Sequence, residues 1–233
     1  MSVGNLYLIP VPLSENGLDT IPGAVKQQSA GLRYFFVENI RTARRYLKSI
    51  DRDIPIEDIQ FAEINNQVAP DIQLLERWLK DGQNVGIMSE AGCPAMADPG
   101  NVLVRKAHEL NAKVIPLTGP SSVLLALMAS GFNGQGFRFN GYLPVKEPLR
   151  SKAIKELEQV SAARNETQIF IETPYRNNQL LQELLRTCRH TTRICIASDI
   201  TGSKEMIKTL PVADWKKQAP DLHKIPSVFL LMA

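Results

Sequence analysis

With 233 residues, 44% of them hydrophobic, the chain is long enough to bury one large core or two moderate ones. Its 27 basic and 24 acidic residues leave a net charge of +3, which excludes a protein that grips nucleic acid by bulk charge but leaves room for a local basic patch. No apolar run approaches the ~18 residues of a membrane span, and Met1 to Pro12 lacks the basic start and long apolar centre of a secretory signal, so a soluble, cytoplasmic protein is expected.

Asn5 to Ile9 reads as an opening strand that Pro10 and Pro12 end. Asp19 or Thr20 is the expected cap of a helix with Pro22 in its first turn, running towards Ser29. Tyr34 to Val37 reads as a buried strand, and Glu38-Asn39-Ile40-Arg41 leads from it into a helix carrying Arg44, Arg45 and Leu47. A third strand, Ile59 to Ala62, gives way to Glu63-Ile64-Asn65-Asn66. Ile72, Leu75 and Leu79 then recur at helical spacing, with Asp71 as a cap and Asp81-Gly82 as a stop. If these strands are parallel, the polar residues that follow them share one rim, where open α/β sheets bind ligands. For Arg44 and Arg45 the plainer reading is a solvated helix face.

Val85 to Met88 is a short apolar run emptying into Ser89-Glu90-Ala91-Gly92-Cys93-Pro94-Ala95-Met96-Ala97-Asp98-Pro99-Gly100. Ala91 and Gly92 have no bulk to keep a ligand from the backbone, and the prolines stiffen the path; the plain alternative is a connection to the helix starting near Gly100. That helix carries Val102, Leu103, Ala107 and Leu110, and Lys113 to Leu117 is the next strand. Thr118-Gly119-Pro120-Ser121-Ser122 follows, opening an apolar helix from Val123 to Ala129, and its hydroxyls either cap that helix or serve a ligand. The texture changes here, so the expected domains are 1–118 and 119–233.

The second half alternates as well. Phe137 to Phe139, Gln168 to Glu172, Arg193 to Ala197, Glu205 to Lys208 and Ser227 to Met232 read as strands, with helices through Ile154, Leu157 and Val160 and through Leu181, Leu184 and Leu185. The expected fold is two α/β domains, the first doubly wound, each with a mostly parallel or mixed sheet flanked by helices.

Several chemistries lack their signatures. There is no Gly-x-Gly-x-x-Gly, no Walker loop and no Gly-x-Ser-x-Gly elbow. Cys93, Cys188 and Cys195 form no Cys-x-x-Cys pair, and His108, His190 and His223 are scattered, so neither a disulfide nor a metal site is expected.

Ser89 to Pro94 with Asp98 to Gly100, taken with Pro116 to Ser122, resembles the tetrapyrrole-methylase-like superfamily, the class III S-adenosylmethionine-dependent methyltransferases. Leu6 to Pro12, Glu38 to Leu47, Phe139 to Pro144 and Phe170 to Arg176 are similar to one branch, the ribosomal small subunit methyltransferase I family, which methylates a cytidine ribose 2′-hydroxyl in small-subunit ribosomal RNA. The resemblance implies S-adenosylmethionine in a cleft between the two domains. Pro10, Gly92, Cys93, Met96 and Ala97 would surround its methionine part, Ser121 and Ser122 would bond to it, and Ile171, Glu172, Ala197, Pro226 and Ser227 would surround the adenosine. Without the family, core packing is the plainer reading of Met96, Ala97, Ile171 and Ala197.

A ribose hydroxyl is a poor nucleophile, so Glu90 or Glu38 would take its proton while Arg41 and Asn65 orient a phosphate or a base edge. The implied partner is ribosomal RNA or the small ribosomal subunit, met by a basic rim of Arg33, Arg41, Arg44 and Arg45. A homodimer is expected too, from the superfamily's habit and from Phe35, Phe36, Trp78 and Phe132 as aromatic surface.

Departures from the branch fall on its substrate side. Leu13-Ser14-Glu15-Asn16 stands for an Ile-Gly-Asn turn, Glu38-Asn39-Ile40-Arg41 for Glu-Asp-Thr-Arg, and Ala197-Ser198-Asp199-Ile200-Thr201 for Ala-Arg-Glu-Leu-Thr, and the sequence stops soon after Met232. Two alternatives therefore stay open: a small-molecule, tetrapyrrole-type methyltransferase, and a cofactor-binding regulator or RNA-binding module that no longer transfers methyl groups.

Overall fold

A computed structural model describes residues 3–64, 68–98 and 100–233. The chain divides into two compact units, Met1–Ser121 and Ser122–Ala233.

The first unit runs β1 (Leu6–Ile9), α1 (Gly23–Ala30), β2 (Tyr34–Val37), α2 (Ile40–Ile50), β3 (Gln60–Glu63), α3 (Ile72–Lys80), β4 (Val85–Met88), α4 (Asn101–Glu109) and β5 (Val114–Pro116). Its sheet has the order β3-β2-β4-β1-β5 with every pair parallel. Side chains alternate across the sheet. Leu6, Phe36, Val85 and Ile87 pack with Leu75, Trp78 and Leu79 of α3 and Leu103 and Ala107 of α4, while Tyr7, Ile9, Phe35, Val37 and Met88 pack with Ala43 and Leu47 of α2. Burial on both faces is why β2 and β4 are continuous apolar runs.

That packing overturns two expectations. Phe35 and Phe36 are fully buried and Trp78 nearly so, each phenylalanine contributing about 1.5–3 kcal/mol by leaving water, so they form core and not an aromatic surface for a partner copy. Arg33 precedes β2, at the amino end of a parallel sheet, and its Nη1 donates to the carbonyls of Ala30 and Leu32, both at 2.9 Å. It is no part of the opposite rim. Further along, Asp71 caps α3 as expected, its carboxylate accepting from the Leu74 N–H at 2.9 Å. Neither Asp19 nor Thr20 caps α1: both lie in a short 3-10 turn, Gly17–Thr20, and the helix starts after Pro22.

The second unit runs α5 (Ser122–Ser130), β6 (Phe137–Tyr142), α6 (Leu149–Arg164), β7 (Thr167–Ile171), α7 (Asn177–Thr187), β8 (Arg193–Ser198), β9 (Met206–Pro211), α8 (Val212–Trp215) and β10 (Ser227–Met232). The order is β6-β7-β10-β8-β9, with β6 and β7 parallel and the other pairs antiparallel, so this sheet is mixed. All six residues of β10 are buried at its centre. Phe229 faces Phe170 across the strands with ring centres 6.1 Å apart and ring planes nearly parallel, in a core shared with Leu181, Leu184 and Trp215. No helix among the described residues is long and apolar enough to cross a membrane.

Candidate active site

The parallel register of the first sheet lines up its strand ends. Ile9 and Val37 each pair with Met88, and Leu8 pairs with Pro116, which brings Pro10, Glu38, Ser89 and Leu117 to one edge. The loops that follow are tied together. Val11 N–H donates to the Gly92 carbonyl at 2.9 Å and Gly92 N–H returns to the Val11 carbonyl at 3.1 Å, while the Cys93 thiol donates to the Pro120 carbonyl at 3.4 Å. Gly119 lies so close to Pro10 that an added Cβ would stand 2.2 Å from the proline Cβ. Gly92 has a left-handed φ of +71°, and a Cβ there would meet Leu13 Cδ2 at 3.0 Å and the Pro120 carbonyl oxygen at 3.4 Å.

Asp98 folds the loop between them, its carboxylate accepting from the Ala95 N–H and from the Gly100 N–H at 2.8 Å. Ala95 and Ala97 are held at φ of +65° and +62°, a strain of roughly 1–3 kcal/mol each that surrounding structure must impose. Ala91, Met96 and Ala97 are exposed, so the core packing that Met96 and Ala97 suggest in isolation is not what they do. Burial pushes the Cys93 thiol up, so it is no poised nucleophile. Among the described residues no cluster of His, Cys, Asp and Glu is arranged to hold a metal.

Beside this loop opens a cavity of about 670 Å³, lined by the Val11–Asn16 connection, Glu38, Thr42, Arg45, Tyr46 and Glu90 among others. The acidic residues of its wall are Glu15, Glu38 and Glu90, and its basic residue is Arg45. Glu38 Oε1 accepts the Glu90 main-chain N–H at 3.0 Å, and the Thr42 hydroxyl donates to Glu90 Oε1 at 2.6 Å. Desolvation raises the Glu38 carboxyl above its ordinary value, the Glu90 N–H works against that, and the charges of Asp98 and Glu90 raise it further. Asn39 caps α2 by accepting from the N–H groups of Arg41 and Thr42 at 2.9 and 3.2 Å.

The rim thus brings Glu38 and Glu90 together, with Pro10, Gly92 and Cys93 alongside. Arg41 is exposed and absent from the cavity wall, where Arg45 stands instead. Asn65 lies outside the described residues. Sequence reading missed Thr42, Tyr46 and Ser49, which line the cavity together with Arg45. Their spacing of i, i+3, i+4 and i+7 was the available signal, since it puts them on one face of a helix that starts at the rim.

In the second unit, Val228 pairs with Ile171 on one side and Ala197 on the other, so Ile171, Ala197 and Ser227 lie together at one end of its central strands with Pro226 just before them, Ala197 fully buried and Ser227 nearly so. Glu172 follows Ile171 with its side chain fully engaged: Oε2 accepts from Arg150 at 2.8 Å, and Oε1 from Arg176 and from the Thr173 N–H, both at 2.7 Å. Burial by itself would raise this carboxyl, but those hydrogen bonds and the two guanidiniums hold it below the usual range. Ser198, where the resembled branch has a basic residue, is buried and donates to the Met206 carbonyl at 3.3 Å.

The family pattern described as Tetrapyrrole (Corrin/Porphyrin) Methylases matches residues 37–215. The ribosomal RNA small subunit methyltransferase I of Vibrio cholerae is 31% identical over 90% of this chain and 69% of its own length. That of Escherichia coli O157:H7 is 28% identical over 99% of this chain and 78% of its own. The crystal structure of the methyltransferase CobJ superposes with a TM-score of 0.66 over 98% of this chain and 94% of that one at 18% identity, a likeness of fold.

Proposed function

The chain belongs to the tetrapyrrole (corrin/porphyrin) methylase family, and we propose that it transfers a methyl group to small-subunit ribosomal RNA, at the ribose 2′-hydroxyl of a cytidine. It is an S-adenosylmethionine-dependent methyltransferase. The methyl group comes already activated on a sulfonium, so the protein has chiefly to place a nucleophile, exclude water and receive a proton.

The residues of the first rim fit that donor. Gly92 leaves little room for a side chain, and exposed Met96 lies between Ala95 and Ala97, whose strained backbone, with Ala91 nearby, would offer small, apolar ground to the methionine part. Ser121 and Ser122 would bond to it. On the second unit, the strand end formed by Ile171, Ala197, Pro226 and Ser227 would take the adenosine, with Glu172 contributing main chain because its carboxylate is engaged.

The observation that carries the acceptor reading is the acidic cavity. At about 670 Å³ it has room for an extruded nucleotide. Its carboxylates suit an amino-bearing base edge, as a glutamate accepts from the cytosine N4 amino group. A tetrapyrrole with several carboxylates would instead meet three glutamates. Glu90 takes the hydroxyl proton, Glu38 fixes the Glu90 backbone, and Arg41, outside the cavity, serves the flanking phosphates. The relatives named as ribosomal RNA methyltransferases support the same acceptor. A homodimer is proposed on the resemblance alone, to be weighed by light scattering.

Labelled methyl transfer to assembled small subunits, naked ribosomal RNA and a tetrapyrrole panel tests the reading. Label in small-subunit RNA is the expected result. Label in a tetrapyrrole with none in RNA overturns it.

A further inference from the structure

We propose that Thr42 is a positioning residue whose hydroxyl keeps the Glu90 carboxylate in place through both of its protonation states. The inference rests on Glu90 as the group that takes the acceptor's proton and says what makes it competent to do so.

Thr42 Oγ1 lies 2.6 Å from Glu90 Oε1 and 3.0 Å from the main-chain oxygen of Asn39. A hydroxyl has one proton and two lone pairs, so it donates to one of these oxygens at a time. While Glu90 is ionised, the shorter, charge-assisted contact holds that proton. Once Glu90 is protonated it becomes the donor towards Thr42 Oγ1, and Thr42 turns its own O–H to the Asn39 carbonyl. Neither state leaves a group unpaired, so the carboxyl need not move when it changes charge.

The other end of Glu90 is fixed as well. Its N–H is bound to Glu38, and the Asn39 side chain caps α2 at the turn that carries Thr42. An exposed glutamate without these ties would sample several rotamers, and the freedom lost would have to be supplied at the moment of reaction. The charged groups around it are Glu15, Glu38 and Arg45 in the cavity wall and Asp98, whose charge reaches Glu38. In the transfer a C–O bond forms on the acceptor as the C–S bond breaks with its electrons left on sulfur. The hydroxyl proton passes to Glu90 Oε and from there to solvent.

Thr42→Val keeps the volume and removes the hydroxyl, and Thr42→Ser keeps the hydroxyl. Single-turnover methyl transfer to small subunits should fall about 10- to 100-fold in Thr42→Val, with KM for the RNA and calorimetric affinity for S-adenosylhomocysteine unchanged. Thr42→Ser should recover most of the rate. Added to Glu90→Gln, Thr42→Val should cost nothing more. A full rate in Thr42→Val beside a dead Glu90→Gln, or additive losses in the double variant, overturns the role of Thr42. A full rate in Glu90→Gln overturns instead the role of Glu90. Should Thr42→Val fail to fold by circular dichroism, Thr42→Ala and Thr42→Ser decide the matter by the same criteria.

Discussion

The phenol of Tyr46, on α2, donates a hydrogen bond to the main-chain oxygen of Pro10, where β1 ends, at 3.1 Å. The contact ties the helix that carries Thr42 and Arg45 to the strand end where the donor is expected to bind. Burial pushes the phenol up to about 12, so it remains a donor throughout the working range of the enzyme. Tyr46→Phe should cost about 1 kcal/mol of stability, the net worth of one such bond. With the folded value above the ordinary ~10 for tyrosine, this group's contribution is complete below about pH 10 and is lost as pH rises towards 12. Thermal unfolding of wild type and Tyr46→Phe at pH 7, 9 and above 10 checks both statements.

Glu38→Gln should stabilise the protein and slow it. The folded carboxyl is raised, so the stability it contributes is present at low pH and lost as the pH climbs through its folded value. Gln keeps an oxygen for the Glu90 N–H without the desolvated charge beside Asp98 and Glu90. The gain in Tm over wild type should be near zero at about pH 4 and grow to a plateau by neutral pH. A gain that shrinks with rising pH would contradict the assignment, and lower methyl transfer at neutral pH would mark the exchange of stability for function.

Gly92→Val should abolish binding of S-adenosylhomocysteine by calorimetry while circular dichroism remains that of the wild type. A branched residue at a φ of +71° adds roughly 1–3 kcal/mol of strain, and its Cβ presses on Leu13 and on the Pro120 carbonyl. Gly92→Ala should fall between the two. Unchanged affinity in the valine variant would make this loop a plain connection.

The strands buried on both faces were the most legible part of the chain. Tyr34–Val37, Val85–Met88 and Ser227–Met232 have the bounds their mainly apolar runs suggest, because strands covered on both faces draw mostly on apolar side chains. Strand direction was not legible in the second unit, where β10 pairs antiparallel with both neighbours, since direction is decided by partners distant in sequence. The four-residue α8 was missed because one turn shows no periodicity. At the site, Glu38 and Glu90 could be placed on one rim from parallel strands alone. Arg33 falls away from that rim by the same rule, since a residue before a parallel strand lies at the opposite end from one after it. Thr42 and Tyr46 needed knowledge of which face of α2 turns inward.

The two adjacent arginines of α2 should separate. Arg44 lies over the Phe61 ring, 5.5 Å from its centre, whereas Arg45 lines the cavity. Arg45→Ala should weaken binding to a single-stranded ribosomal RNA fragment and flatten its salt dependence by a slope of about 0.7, the share of one phosphate contact. Arg44→Ala should change the slope little and lose some stability through the ring contact. Fluorescence anisotropy at three salt concentrations measures both; equal slopes in the two variants would make this helix a solvated face.

The central claim, a ribose methyl transfer to a cytidine at the acidic rim, is tested most directly by mass spectrometry of nucleosides from small-subunit RNA after incubation with the protein and a methyl-labelled donor. Label should appear in 2′-O-methylcytidine and be lost when Glu90→Gln replaces the wild type. Label in a base-methylated nucleoside, or no label in RNA from a protein that binds the donor, would contradict it.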